Sequence, residues 1–378
     1  MSRPAIEVTF LNLYGRPPDL VVRSPGRVNL IGDHTDYNDG FVLPVAIDRY
    51  TRLAAGVRSD NRVVAHSGAS GEVVSFDLTD LEPGGPAWGE YLKGVLHVFG
   101  YGGPGLDLVI ESDVPLGAGL SSSAALELAT ARVIAETGGR HWDPTAAARL
   151  CQLAENDWVG TQCGIMDQLV VASASEGHAL LIDCRSLEAA SISLPGEAAV
   201  VVLDTGTRRR LATSEYNQRR QACARAAAAY GVGALRDVDA GDITDRPVGL
   251  VVKDWNRARH VVLENARVLA AARAMGDDDL AAFGRLMIES HDSLRELFEV
   301  STHELDRMVE LAIEQPGCWG ARMTGAGFGG CAVAIFDRTQ VAAGISRIAP
   351  RYQAETGVEP EIYVCQAATG TMIVPSVG

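Results

Sequence analysis

SPGRVNLIGDHTDYNDGFVLP, residues 24–44, sets Arg27, three aspartates (Asp33, Asp36, Asp39) and His34 between two largely apolar flanks, residues 28–31 and 41–43. Gly26, Gly32 and Gly40 punctuate it, and glycine supplies turns and close backbone approach. The flanks anchor the polar segment against a core, so its side chains point somewhere fixed. Short acids beside a histidine suit a ligand with many hydroxyls, because a carboxylate accepts hydrogen bonds and an imidazole donates or accepts. A charged turn between two strands fits the same residues. On this stretch alone both readings stand.

Around it, residues 8–14 read as a short helix stopped by Gly15, and residues 20–23 and 41–47 as strands. Segments 51–57, 62–66 and 73–78 are short and bounded by Gly, Asp, Asn or Ser, as antiparallel strands are. A helix over 88–99 and a strand over 106–111 follow. Strands this early, with few helices between them, predict an α/β (α+β) fold with a mixed sheet. Helices are expected over 144–158, from about 214, and over 255–275, 280–290, 302–314 and 342–348, with strands over 178–183, 199–204 and 362–365. The helix-rich second half suggests two lobes, 1–205 and 206–378, with residues 233–245 as a mobile connection.

At 378 residues the chain has room for both, and 47% hydrophobic residues with no low-complexity tract mark a globular protein. A formal charge of −15 argues against a nucleic-acid partner. The seven cysteines are scattered without a C-x-x-C pair, which disfavours a zinc site or a disulfide framework and fits a reducing cytoplasm. Neither a signal peptide nor an apolar run of membrane-spanning length is visible, so a cytoplasmic protein without membrane contact is expected.

A second stretch, VPLGAGLSSSAALELATA (114–131), follows the 106–111 strand and passes from glycines through three serines into a helix reaching about Glu136. Gly117 and Gly119 allow a tight turn, and Ser121, Ser122 and Ser123 bring hydroxyls and N–H groups to a helix N-terminus, where partial positive charge favours anions. Serine capping alone needs one serine, so a phosphate cradle is the favoured reading, although no Walker G-K-[ST] is present. Asp167, in TQCGIMDQLVVA, sits among apolar residues. Such a carboxylate is either a structural acceptor or a working group, and either needs a partner, for which Arg27 is the candidate. The Arg208-Arg209-Arg210 run reads as a solvated face, with a phosphate contact as the lesser alternative. Tyr216 either reaches a ligand or packs. MTGAGFGGCAVAIF (323–336) is a Gly-rich turn and a strand, placed to bring backbone near a phosphate or another loop.

Taken together, GRVNLIGDHTDYN (26–38), GAGLSSSAALE (117–127), CGIMDQ (163–168), SEYNQRR (214–220) and MTGAGFGGCAV (323–333) resemble the motifs of the GHMP small-molecule kinases, and within them the galactokinases. The resemblance spans essentially the whole chain. It implies two lobes with a site in the cleft and ATP-dependent phosphorylation of the anomeric hydroxyl of galactose. It implies Asp167 as base and Arg27 as the charge-stabilising neighbour. Ser123 and Glu155 match magnesium ligands. Gly117, Ala118, Gly119, Leu120, Ser121, Ser122 and Ser123 match the triphosphate loop, and Trp88 an adenine neighbour. Asp33, His34, Thr35, Asp36, Gly164 and Tyr216 match sugar-binding positions. ATP and Mg²⁺ are the implied cofactors, and a monomer is expected.

One position departs from the family, which usually has glutamate where this chain has Asp33, near the C6 hydroxyl of the sugar. A kinase for another sugar, such as N-acetylgalactosamine or arabinose, is therefore a competing expectation, although the retained HTDY (34–37) favours galactose. A non-catalytic galactose sensor is another, against which the intact serine loop and Asp167 both argue. An isoprenoid-pathway kinase finds no support in the first motif.

Overall fold

The computed structural model describes residues 5–208 and 212–375. In the first part of the chain α1 (Ala5–Tyr14) leads to β1 (Leu20–Asn29), β2 (Phe41–Val42), β3 (Pro44–Val57), β4 (Arg62–Ser67) and β5 (Val73–Asp77). Next come α2 (Ala87–Val98), β6 (Leu106–Ser112), α3 (Ser122–Thr137), α4 (Pro144–Leu153), α5 (Met166–Ser173), β7 (His178–Asp183), β8 (Ala189–Ser193) and β9 (Ala198–Asp204). The remainder holds α6 (Ala212–Tyr230), α7 (Val252–Gly276), α8 (Leu280–Ser293), α9 (His303–Ile313), β10 (Cys318–Met323), β11 (Cys331–Asp337), α10 (Val341–Thr356), β12 (Glu361–Cys365) and β13 (Met372–Val374).

The strands form a mixed sheet in the order β13-β1-β3-β6-β4-β5, a second in the order β10-β11-β9-β12, and a small third, β2-β7-β8. Only the β4–β6 pairing is parallel among those described, as the run of short early strands predicts. The expected division after residue 205 falls at the end of β9, whose partners β11 and β12 come from the later segment. In return β13 pairs with β1. The two halves are thus interlocked through both sheets.

β1 is longer than residues 20–23: it runs on to Asn29 and places Arg27 on a strand, not in a loop. Its register against β3 shifts between Pro25 and Gly26, where a Cβ would stand 2.9 Å from the Leu120 carbonyl oxygen. The close approach of the serine loop therefore needs this glycine. The segments expected at 44–47 and 51–57 are one strand, β3. The α4 helix ends at Leu153, and residues 154–159 form a π-helical turn that carries Glu155.

Two apolar cores hold the site. Leu53, Leu108, Leu128, Leu169 and Ile182 join the large sheet to α3 and α5. Val28, Val45, Val202, Val268, Phe283 and Val333 join both large sheets to α7 and α8. Within residues 233–245, otherwise mostly exposed, a few side chains anchor the segment. Leu235 and Ile243 are buried, and Arg236 grips Asp183 with both terminal nitrogens and donates to the Asp39 carbonyl at 2.9 Å. Its guanidinium also stacks 4.2 Å from the centre of the Phe41 ring.

Candidate active site

Four separated segments meet in a cavity of about 390 Å³, within the size range of small-molecule sites. Arg27 arrives on β1, the serine loop from the N-terminus of α3, Asp167 from the first turn of α5, and Glu155 from the π-helical turn. Arg27 and Asp167, 140 residues apart, form a two-pronged pair: Nε donates to Oδ1 at 2.7 Å and Nη2 to Oδ2. Arg27 Nη1 donates to the Gly119 carbonyl at 2.6 Å, which ties the same guanidinium to the glycine turn. Arg27 is buried, and the Asp167 side chain is 25% exposed on the cavity wall. The expected pairing exists, with the planar fork that arginine offers a carboxylate.

Ser121 occupies the N-cap position of α3, yet its side chain makes no capping bond; its hydroxyl donates to Asp167 Oδ2. Its φ of 60° is one that residues other than glycine rarely adopt. The hydroxyl is thus committed to Asp167, and the first-turn N–H groups of α3 get no cap from it. Gly117, Gly119, Leu120, Ser121, Ser122 and Ser123 line the cavity. Ala118 does not: it is fully buried, with its carbonyl 2.9 Å from where a Gly330 Cβ would stand. The second Gly-rich turn therefore packs against the first, and Gly325 and Ala326 reach the cavity themselves.

Asp36, also lining the cavity, lies against Gly164 so closely that a Cβ at Gly164 would overlap its carboxylate. Burial, and next the Asp167 charge, push the Asp36 carboxyl up to about 7. Asp33 lines the cavity but is 2% exposed; Oδ2 pairs with Arg322 Nη1 at 2.7 Å, and Oδ1 accepts from the Gly325 N–H at 3.0 Å. His34 lines the cavity with both ring nitrogens engaged by the protein. Nε2 donates to the Ala326 carbonyl at 3.2 Å, so Nδ1 accepts from the Tyr37 hydroxyl at 2.9 Å. Burial holds this imidazole neutral, well below its usual range. Tyr216 lines the cavity beside His34, with ring centres 5.6 Å apart. Thr35 does not line it: its buried hydroxyl lies 2.7 Å from both the Gly32 and the Phe41 carbonyl oxygens, shares its one proton between them and closes the loop.

Glu155 is linked to Gln168, whose amide donates to Glu155 Oε2 at 2.7 Å and to the fully buried Glu127 at 3.1 Å. Burial, then the Asp167 charge, raise the Glu155 carboxyl to about 7. Cys163 bonds the same carboxylate at 3.4 Å, and burial keeps its thiol protonated, far from a reactive thiolate. Trp88 does not reach the cavity; its indole N–H donates to Glu72 at 3.1 Å, and Tyr91 of the same helix lines the wall instead. Arg208 forks onto Asp204 at 2.8 and 2.7 Å beside the loop, and Arg209 and Arg210 lie outside the described residues.

Comparison with known proteins matches this geometry. Residues 9–57 match the galactokinase galactose-binding signature, 90–175 the N-terminal domain of the GHMP kinases, and 269–354 their C-terminal domain. A galactokinase of Roseiflexus sp. is 46% identical over 96% of this chain and 94% of its own. One from Chloroflexus aurantiacus is 45% identical over 97% and 96%. The crystal structure of Lactococcus lactis galactokinase complexed with galactose superimposes with a TM-score of 0.93 at 33% identity, covering 97% of this chain and 98% of that one. With its motifs, cavity and fold all of one kind, the chain belongs to the galactokinase family of the GHMP kinases.

Proposed function

We propose that the chain transfers the γ-phosphoryl group of ATP to the anomeric C1 hydroxyl of D-galactose, giving galactose 1-phosphate, with Asp167 as the base. The observation that carries the assignment is the fork of Arg27 on Asp167, joined by the Ser121 hydroxyl at the mouth of the glycine turn. Phosphoryl transfer asks the protein for positioning and charge compensation more than for covalent chemistry. Here one guanidinium orients the carboxylate and anchors the loop facing the phosphates. As the C1 oxygen attacks the γ-phosphorus and ADP leaves, the Asp167 carboxylate, held until then in its pair with Arg27, takes the hydroxyl proton, and Arg27 offsets negative charge on the moving phosphoryl group.

Magnesium fits the residues present. Ser123 and Glu155 offer two oxygen donors on one cavity, and three further carboxylates (Asp33, Asp36, Asp167) line it with Arg27. A cation beside Glu155 makes it less costly for that buried acid to ionise. When bound with the nucleotide, Mg²⁺ supplies charge neutralisation at the phosphate oxygens. Asp36, Asp33 and Tyr216 form the sugar wall, with Gly164 leaving space for Asp36. His34 acts there by packing and by fixing Ala326, since both its nitrogens are engaged.

No helix among the described residues is long and apolar enough to cross a membrane. The proposed enzyme acts as a monomer on a free sugar in the cytoplasm. The test is ATP consumption with Mg²⁺ over galactose, 2-deoxygalactose, N-acetylgalactosamine, fucose, arabinose and glucose. Galactose dominating, with the 1-phosphate as product, supports the assignment. Another sugar dominating would move the physiological substrate and point first to Asp33. Binding of galactose without turnover of any sugar would replace the enzyme with a sensor.

A further inference from the structure

Behind the sugar wall lies a buried polar cluster that the reaction described above does not use. Arg322, at the end of β10, is fully buried and faces two carboxylates. Nη1 pairs with Asp33 at 2.7 Å, and Nη2 lies 3.8 Å from Glu264 of α7. Glu264 in turn accepts from the Gly32 N–H at 3.0 Å, from Arg267 Nε at 2.7 Å and from the Ser290 hydroxyl of α8. His260 of α7 bonds the Asp33 carbonyl at 3.1 Å, so the backbone of Gly32 and Asp33 is held from the same side. The cluster is not fully paired: Arg322 Nε and Nη2 have no hydrogen-bond partner. A buried guanidinium held this way costs stability when compared with an apolar side chain, which argues for a role other than holding the fold together.

We propose that Arg322 is a specificity-determining positioning residue, which acts through Asp33 to fix the direction in which that carboxylate meets a sugar hydroxyl. Asp33 carries one oxygen on the Gly325 N–H and the other on Arg322, so its plane is set from two sides. A carboxylate offers more acceptor sites than these two bonds fill, and Asp33 lines the cavity. Arg322 does not line the cavity and so acts at one remove. A short carboxylate held by one guanidinium nitrogen on one oxygen and a backbone N–H on the other presents its remaining acceptor sites in a fixed plane, whereas an unfixed one turns to meet hydroxyls in several. Arg322 lies near the end of β10 and Gly325 in the turn that follows it, so that segment and the loop of Asp33 share the same anchor.

The inference rests on the reading of the cavity as a sugar-kinase site, and its test separates the two. Galactose turnover by the wild-type enzyme, compared with fucose (6-deoxygalactose) and 2-deoxygalactose, is measured first; no turnover would overturn the reading itself. Arg322→Lys keeps the charge but loses the Nη1 contact that sets the Asp33 carboxylate. It is expected to raise the galactose KM about 10- to 100-fold, with kcat and the ATP KM each within about threefold. The preference for galactose over one of the deoxy sugars should fall by the same factor. In an Asp33→Asn background, Arg322→Lys should have no further effect on that preference, because its route is gone. If Arg322→Lys does not fold, Asp33→Asn/Arg322→Met removes both buried charges together, and its sugar preference should equal that of Asp33→Asn alone. A wild-type sugar preference in Arg322→Lys overturns the proposal. So does a further loss of preference when Arg322 is changed in the Asp33→Asn background.

Discussion

Gly164→Ala adds one methyl group and tests the sugar wall more sharply than removal of a charge. Gly164 does not have a positive φ, so alanine brings no backbone strain, and the whole effect comes from where its Cβ points. That Cβ would overlap the Asp36 carboxylate and stand 2.9 Å from the Asp36 Cβ. Asp36 is fixed on a short 3₁₀ turn between Thr35, whose hydroxyl closes the loop, and Asn38, whose amide holds the His34 carbonyl at 2.9 Å. The turn cannot follow the methyl group, so the carboxylate must swing out of place. Losing one hydrogen bond between a carboxylate and a sugar hydroxyl costs about 1.5–3 kcal/mol, or about a 10- to 150-fold rise in the galactose KM. The ATP KM should stay within about twofold, because the added methyl group meets Asp36 and not the glycine turn or the serine loop. Steady-state kinetics with each substrate varied in turn, beside a thermal melt, provides the check. A folded Gly164→Ala enzyme with an unchanged galactose KM would refute the placement of Asp36 against the sugar.

Arg27→Lys keeps a cation but cannot hold Asp167 and Gly119 together, so kcat should fall about 100-fold with the ATP KM little changed; equal loss in both would point to a collapsed loop. The Asp36 carboxyl, raised to about 7 by burial and the Asp167 charge, with Asp33 adding and Arg27 opposing, should protonate as pH falls below 7. The galactose KM should therefore rise from pH 8 to pH 6, and Asp36→Asn should remove that dependence. The same group binds its proton more tightly folded than unfolded, so its stabilising effect is fullest below about pH 4 and fades as pH rises through 7. Melts of the wild type should accordingly lose ground to Asp36→Asn over that window. Asp33→Glu should shift the galactose-to-fucose preference toward galactose, and identical relative kcat/KM values across the sugar panel would remove Asp33 from the specificity account.

The sequence made the chemistry-bearing residues legible because they cluster in short motifs. Arg27, Ser121 and Asp167 stand out by residue type and context, Glu155 only through the family resemblance, and the fold brings all four to one cavity. The pairing of Arg27 with Asp167 could be named as a candidate, but only the packing of β1 against the serine loop makes it real. Trp88, Thr35 and Ala118 show the opposite case. Each stands within or near a motif, yet a local demand claims it: an indole bond to Glu72, closure of the sugar loop, and contact with the second glycine turn. What stayed hidden is long-range. The Thr324 hydroxyl bridges the backbone N–H and carbonyl of Asn29, 295 residues away, and Arg322 reaches Asp33 over a similar separation. No local pattern encodes such partners. Short elements were equally silent: β8 is a mostly exposed run of small residues, and β13 has three residues that gain strand form only by pairing with β1.

The most direct test of the central claim is turnover of galactose and ATP by Asp167→Asn, with nucleotide binding measured on the same preparation. The asparagine keeps the shape of the side chain but cannot take the C1 proton. Turnover should fall at least about 1,000-fold while ATP binding stays within a few-fold of wild type. Near-normal turnover in folded Asp167→Asn protein would contradict the account and remove Asp167 as the base.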